Sequence, residues 1–136
     1  VAECGALLLA VTQVVEKDGV RRAGADAGMN ALMRPAMYEA YHGIVAVMQR
    51  DAATKRYDIV GPICETGDFL GFARDLAIEE GDLLALLSAG AYGMSMASNY
   101  NSRPRAAEIL IDKNEIHLIR ERETLKTMLA GERLPA

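Results

Sequence analysis

The sequence is poor in the residues that metal sites and disulfide frameworks need. It has two cysteines, Cys4 and Cys64, and two histidines, His42 and His117, all far apart in the chain. Without Cys-x-x-Cys or a comparable spacing, these residues do not predict a tetrahedral zinc site. The spacing gives no support for a disulfide either, so we expect free thiols in a reducing cytoplasm.

Long apolar runs and an excess of positive charge are also missing. The longest apolar stretch near the start, 6–11 with its flanks, is too short to span a bilayer and lacks the basic flank of a signal peptide. The formal net charge is −4, and no basic run or aromatic stacking set is present. We therefore expect no binding to nucleic acid or to a membrane.

With 136 residues, half of them hydrophobic, the chain predicts a single domain, 1–136, that is large enough for a real core. It is small for a complete cofactor enzyme. The chain begins at Val1 without a methionine. We interpret it as a piece of a longer protein, with methionine removal or trimming as the alternative.

Short apolar segments separated by turn signals predict a mainly β fold. Strands are expected at 7–15, after the Lys17-Asp18-Gly19 turn from Val20, at 43–48, 57–60 and 83–87, and in a hairpin of 106–111 with 115–119. We expect the strands at 43–48 and 57–60 to form an antiparallel pair. Hairpin turns at short spacing are typical of a β-sandwich or a barrel-like domain with a few short helices.

Four segments predict helix or loop. A helical turn at 29–34 should end at Pro35, because a residue before proline avoids the helical region. Residues 68–77 read as a loop with a turn of helix. We expect a short helix at 90–96 and a terminal helix at 121–130 that Gly131 stops.

The stretch Gly61-Pro62-Ile63-Cys64-Glu65-Thr66-Gly67-Asp68 places a thiol beside a carboxylate. Its proline and glycines predict a bent, exposed loop, a setting in which side chains often carry chemistry. A thiol is mostly protonated at neutral pH, a state that a neighbouring carboxylate favours, and it can donate a proton to a carbanion. The alternative is that Cys64 is a small buried hydrophobic residue.

Three further positions suit anion binding. Arg34 and Tyr38 are four residues apart, so a guanidinium and a phenol could hold one carboxylate; the alternative is a surface arginine with a core tyrosine. Tyr92 lies between small residues, and its phenol can hydrogen-bond a phosphate oxygen; the alternative is a tight turn with a core tyrosine. Arg103 and Arg105 fit either an anion site or a solvated loop.

Taken together, three segments resemble the motifs of the diaminopimelate decarboxylase family. They are Asp26-Ala27-Gly28-Met29-Asn30 with Arg34-Pro35, Tyr38 and Tyr41-His42; Gly61 to Asp68; and Ala89 to Met96 continuing through Asn99 to Arg105. Their order and spacing match the family over nearly the whole chain. Two departures concern local packing: Ala31 replaces the usual aspartate, and 21–25 is less apolar than usual.

The resemblance implies a pyridoxal-phosphate enzyme in which an N-terminal (β/α)8 barrel precedes a C-terminal β-domain. This chain would be the β-domain, whereas the barrel, its phosphate-binding loop and its cofactor-bearing lysine would lie upstream. None of Lys17, Lys55, Lys113 and Lys126 resembles that lysine. Such enzymes convert meso-2,6-diaminopimelate into L-lysine and CO2, and they act as homodimers, which we place in the cytoplasm.

The resemblance also implies roles for the candidate site residues. Cys64 would be the proton donor, Glu65 would bind the distal ammonium of the substrate, and Arg34 and Tyr38 would hold carboxylate. Tyr92 would contact both cofactor and substrate. We expect the chain alone to be inactive. Alternatives are a stand-alone interaction module and ornithine- or arginine-type specificity, although the related ornithine enzymes tend to carry an aspartate slightly later than Glu65.

Overall fold

A computed structural model describes residues 1–135, which divide into two compact units. The first unit is Val1–Ala97 and the second begins at Ser98. Within residues 1–135, no helix has the length and apolar character needed to cross a membrane.

The first unit is built on one six-stranded sheet. Its strands are β1 Leu7–Lys17, β2 Val20–Ala25, β3 Ile44–Ala46, β4 Lys55–Val60, β5 Phe69–Leu76 and β6 Leu83–Leu86. It also has an α-helix, α1 Arg34–Tyr38, and short 3-10 helices at Ala2–Cys4 and Met94–Met96. The strand order is β3-β6-β1-β2-β4-β5, with β2 and β4 parallel and all other neighbours antiparallel. The edge strands β3 and β5 contact each other, so the sheet nearly closes into a barrel. The predicted mainly β, barrel-like fold is confirmed.

Alternation along the strands fills the inside of this barrel. On β6, Leu84 and Leu86 are buried while Leu83 is exposed, as is Leu87 directly after the strand; on β1, Leu9 and Val11 are buried. This period of two is what a sheet with one covered face requires. Each such side chain contributes about 1.5–3 kcal/mol through burial.

The predicted turn between β1 and β2 is confirmed. Asp18 and Gly19 have φ values of 54° and 76°, and Lys17 pairs with Val20 across the turn. Two consecutive residues with positive φ are characteristic of the two-residue hairpin turns that match strand twist. The return strand continues through Ala23 and Ala25, where small side chains are fully packed in the core.

The prediction that Pro35 ends a helix was wrong. Helix α1 begins at Arg34 and contains Pro35 in its first turn, and it stops where Glu39 adopts a left-handed φ of 53°. The first N–H groups of a helix have no partner within it, so proline loses no hydrogen bond there.

The predicted pairing of 43–48 with 57–60 was also wrong. Strand β3 pairs with β6, whereas β4 pairs with β5 and β2. The buried strand expected at 43–48 is short, because only Ile44 is buried and Val45, Val47 and Met48 are exposed. Strand β3 lies at an edge of the sheet beside β6, so its partner is not the strand that follows it in the sequence.

Residues 69–76 form strand β5 rather than the predicted loop. Gly71 and Ala73 have low strand propensity, which is why the sequence does not favour a strand here. Ala73 has a φ of 52°, and its N–H donates to Asp58 Oδ1 at 2.9 Å, forming a bulge in the ladder with β4. Tertiary pairing therefore overrides local propensity.

The second unit contains the predicted hairpin, β7 Glu108–Asp112 with β8 Glu115–Arg120, and a short helix, α2 Leu125–Met128. The helix is shorter than the predicted 121–130, because Thr124 caps its N-terminus together with Thr127. Both faces of the hairpin are exposed, including the side chains of Ile111 and Ile116 at 69% and 74%.

Candidate functional site

Cys64 lies on the loop 61–68 that joins β4 to β5, and its side chain is exposed. The N–H of Glu65 donates to the carbonyl of Ile63 at 2.8 Å, which makes Cys64 the central residue of a three-residue turn. Ile63 itself is buried. The bent, exposed loop predicted for Cys64 is therefore present, and the buried-hydrophobe interpretation was wrong for this chain.

The buried side chain of Asp68 holds the 61–68 loop in place through hydrogen bonds. Its carboxylate is only 3% exposed, and it accepts hydrogen bonds from the N–H of Ile63 at 2.7 Å and of Met29 at 2.6 Å. The backbone N–H of Gly61 also donates to the carbonyl of Asp68 at 2.9 Å. The first two motifs of the sequence are thus joined through one buried carboxylate.

Arg34 and Tyr38 occupy the first and last positions of α1. Arg34 is half-buried and Tyr38 is 61% exposed, so the interpretation of Tyr38 as a core tyrosine was wrong. Within residues 1–135, no ion pair joins the guanidinium of Arg34 to a carboxylate. Helix α1 packs against β5, the strand that leaves the Cys64 loop. The charge of Arg34 is therefore available to an anion on this side of the barrel.

Arg34 also joins the first motif to the third. Its guanidinium carbon lies 5.9 Å from the centroid of the Tyr92 ring, within the range of a cation–π contact. Tyr92 is 61% exposed and has a left-handed φ of 64°. The core-tyrosine alternative was wrong here too. A side chain in this region costs about 1–2 kcal/mol, so the surrounding loop must hold it in place.

The loop that carries Tyr92 is held at its base. The N–H groups of Ala89 and Gly90 donate to the carbonyls of Gly5 and Ala2 at 2.8 and 3.0 Å. His42, which is 1% exposed, donates from Nδ1 to the carbonyl of Leu87 at 2.9 Å. These contacts fix the end of β6 and leave the phenol of Tyr92 outside the core.

Arg105 has a structural partner in the second unit. Glu123 accepts from Arg105 Nη2 at 2.6 Å, from Arg105 Nε at 2.9 Å, from the Arg105 N–H at 2.8 Å and from Asn99 Nδ2 at 2.7 Å. The side-chain hydrogen bond from Arg105 is the main reason that the pKa of Glu123 falls from 4.5 to about 2. The guanidinium of Arg105 is therefore neutralised within the chain.

The sequence motifs did not assign a role to Asp68 or His42. Both side chains bind backbone groups that are distant in the sequence, so spacing alone does not identify their partners. The available signal was an aspartate in a turn-rich loop, since aspartate in such loops often accepts from backbone N–H groups.

Comparison with known proteins gives the same picture as the motifs. The family model for the pyridoxal-dependent decarboxylase, C-terminal sheet domain, matches residues 2–90. The diaminopimelate decarboxylase of Neisseria meningitidis serogroup B is 58% identical over 132 residues, covering 97% of this chain and 32% of that protein. The diaminopimelate decarboxylase of Pseudomonas aeruginosa is 55% identical over 134 residues, covering 98% and 32%.

A solved structure of diaminopimelate decarboxylase from M. jannaschii in complex with L-lysine superimposes with a TM-score of 0.95 at 43% identity, covering 98% of this chain and 31% of that one. The chain spans about a third of the length of the curated relatives that it matches. It belongs to the pyridoxal-dependent decarboxylase family, to the part described as the C-terminal sheet domain.

Proposed function

We propose that this chain is the C-terminal β-domain of a diaminopimelate decarboxylase, which converts meso-2,6-diaminopimelate into L-lysine and CO2. The observation that carries the proposal is the exposed Cys64–Glu65 pair on an anchored loop, in a chain 58% identical to a relative of that name. The domain brings a proton donor and substrate-binding groups to a site that the remainder of the enzyme completes.

Cys64 acts as the proton donor. Loss of CO2 leaves an electron pair on the α-carbon of the substrate, and bound pyridoxal phosphate supplies the electron sink that stabilises this negative charge. The Sγ–H of Cys64 donates its proton to that carbon, and the resulting thiolate regains a proton from solvent. An exposed thiol at the centre of a tight turn is accessible to a bound substrate.

Glu65, Arg34 and Tyr38 bind the charged groups of the substrate. The carboxylate of Glu65 binds the distal ammonium, while the guanidinium of Arg34 and the phenol of Tyr38 bind a carboxylate. Meso-diaminopimelate carries an ammonium and a carboxylate at its far end, whereas ornithine and arginine lack that carboxylate. Among residues 1–135 the guanidinium of Arg34 has no carboxylate partner, so it favours a substrate with this second carboxylate, as in diaminopimelate.

The residues present fit one part of a pyridoxal-phosphate site. Tyr92 offers an exposed phenol next to the guanidinium of Arg34, which suits a phosphate or carboxylate oxygen. Lys17, Lys55, Lys113 and Lys126 are all exposed, so none is desolvated as an imine-forming lysine is. We propose that the lysine anchor comes from the rest of a cytoplasmic, homodimeric enzyme and that this chain alone does not decarboxylate.

A chimera tests the proposal. In it, this chain replaces the matching third of the Neisseria meningitidis relative, and lysine and CO2 formation from meso-diaminopimelate is measured beside ornithine and arginine. We expect kcat/KM for diaminopimelate to exceed that for the other two by at least about 100-fold, because their missing carboxylate leaves Arg34 unpaired. The relative without its matching third is the inactive control.

Two outcomes would contradict the proposal. A chimera that prefers ornithine or arginine would assign the chain to a different decarboxylase. A chimera that shows the absorbance of bound pyridoxal phosphate but acts on none of the three substrates would instead support a stand-alone interaction module.

A further inference from the structure

We propose that Asp68 is the positioning residue of this site: its buried carboxylate sets the orientation of Cys64 and Glu65 through the backbone, without contacting the substrate. This role of Asp68 deepens the proposed function, and its expected effect on turnover rests on that function. The effect of Asp68 on the conformation of the loop follows from the hydrogen bonds of the loop alone.

The carboxylate of Asp68 binds two backbone N–H groups from two separate segments. Oδ1 accepts from Met29 at 2.6 Å and Oδ2 accepts from Ile63 at 2.7 Å. Because the side chain is only 3% exposed, water does not compete for these oxygens. Oδ1 thus ties the second motif to the first, while Oδ2 holds the second motif's own loop.

The surrounding glycines show that this contact is close-fitting. A Cβ at Gly28 would lie 2.6 Å from Asp68 Oδ1, and a Cβ at Gly61 would lie 2.6 Å from Asp68 Cγ. Real Cβ atoms are not found at such distances from a neighbouring heavy atom. The two glycines are therefore required for the carboxylate to sit between the loops.

Asp68 forms hydrogen bonds with the residues on both sides of Cys64. Ile63, which precedes it, is buried and donates its N–H to the carboxylate. Glu65, which follows it, accepts from the backbone N–H of Asp68 at 3.1 Å. Loss of the carboxylate frees the N–H of Ile63 at one end of this short turn, so the direction of the Cys64 and Glu65 side chains is less firmly fixed.

The first test uses the whole chain with Cys4→Ala, so that Cys64 is its sole thiol, and measures alkylation of Cys64 by iodoacetamide. We expect Asp68→Asn to change the rate at least about threefold, because the accessibility of the thiol depends on the turn. Asp58→Asn is the matched control: Asp58 also accepts from one backbone N–H, that of Ala73, outside both motifs. Equal rates in all three proteins would overturn the proposal.

If Asp68→Asn does not fold by circular dichroism, Gly28→Ala takes its place. This variant keeps the carboxylate but displaces it, since the added methyl group occupies its position. A change in alkylation rate with a retained fold supports positioning by Asp68. An unchanged rate contradicts it.

The second test is a double-mutant cycle in the chimera. We expect Asp68→Asn to lower kcat by about 10- to 100-fold, as small displacements of a reacting group do. In a Cys64→Ala background the same substitution should leave kcat nearly unchanged, because its effect passes through Cys64. Equal losses in both backgrounds would show a merely structural role and overturn the proposal.

The two tests separate this inference from the proposed function. If the unsubstituted chimera binds cofactor but is inactive, the proposed function fails. The alkylation rates then still decide whether Asp68 positions Cys64.

Discussion

In the proposed site, Glu65 supplies the negative charge that binds the distal ammonium of the substrate. Its carboxylate lies at the exposed tip of the 61–68 loop and accepts from the N–H of Thr66 at 3.1 Å. This backbone contact orients the carboxylate, and a carboxylate forms charge-assisted hydrogen bonds with ammonium groups.

In the chimera, we expect Glu65→Gln to raise KM for meso-diaminopimelate by about 10- to 100-fold, the range for losing a hydrogen bond between charged groups. Steady-state kinetics measure the change. Thr66→Ala keeps the carboxylate and is the control. A KM for Glu65→Gln within twofold of the unsubstituted chimera would remove Glu65 from substrate binding.

Candidate site residues with distinctive side chains could be singled out from the sequence, whereas a residue that acts through the backbone could not. Cys64, Glu65 and Arg34 stand out because a thiol, a carboxylate and a guanidinium have recognisable chemistry in a recognisable motif. Asp68 works by accepting N–H groups from Ile63 and Met29. Backbone donors are present at nearly every position, so the sequence does not single out the partners.

At the scale of elements, strands were predicted correctly where the alternation of apolar residues and the flanking turn residues both indicated the same strand. Strand β1, its turn into β2 and the β7–β8 hairpin all follow from alternation and from turn residues. Strand β5 was missed because Gly71 and Ala73 suit a bulge rather than a regular strand. Its existence depends on pairing with β4, which is a property of the closed sheet and not of the local sequence.

The segment around Glu123 should lose stability in acid. The pKa of Glu123 in the folded chain is about 2, below its ordinary value of 4.5, mainly because of Arg105. A carboxyl group whose pKa is lowered by folding stabilises the fold above its ordinary pKa, and this contribution is lost as the pH falls toward the folded value. The contribution of Glu123 is therefore present at pH 5 and disappears between about pH 4.5 and 2.

The comparison of Glu123→Gln with the unsubstituted chain tests this expectation. At pH 6 the variant should have the lower free energy of unfolding, and the difference should shrink as the pH approaches 2. Urea denaturation monitored by circular dichroism measures it, with the exposed Glu121→Gln as control. A difference that stays constant across this pH range would contradict the account of Glu123.

At the scale of the whole molecule, the β7–β8 hairpin leaves large apolar side chains exposed on both faces. The β7–β8 hairpin exposes Ile109, Ile111, Ile116, Leu118 and Ile119, each by more than half. Patches of this kind mark contacts with other protein surfaces. The chain also spans about a third of the length of its relatives, so we propose that the rest of the enzyme covers this hairpin.

The central claim is that Cys64 of this chain completes the site of a decarboxylase. Turnover of meso-diaminopimelate by the chimera with Cys64→Ala, beside Cys4→Ala, tests it most directly, because both thiols are exposed and only one lies in the site. We predict that Cys64→Ala lowers kcat by about 10²- to 10⁴-fold, the range for a lost general acid, and that Cys4→Ala leaves it unchanged. Undiminished turnover in the Cys64→Ala chimera would contradict the account.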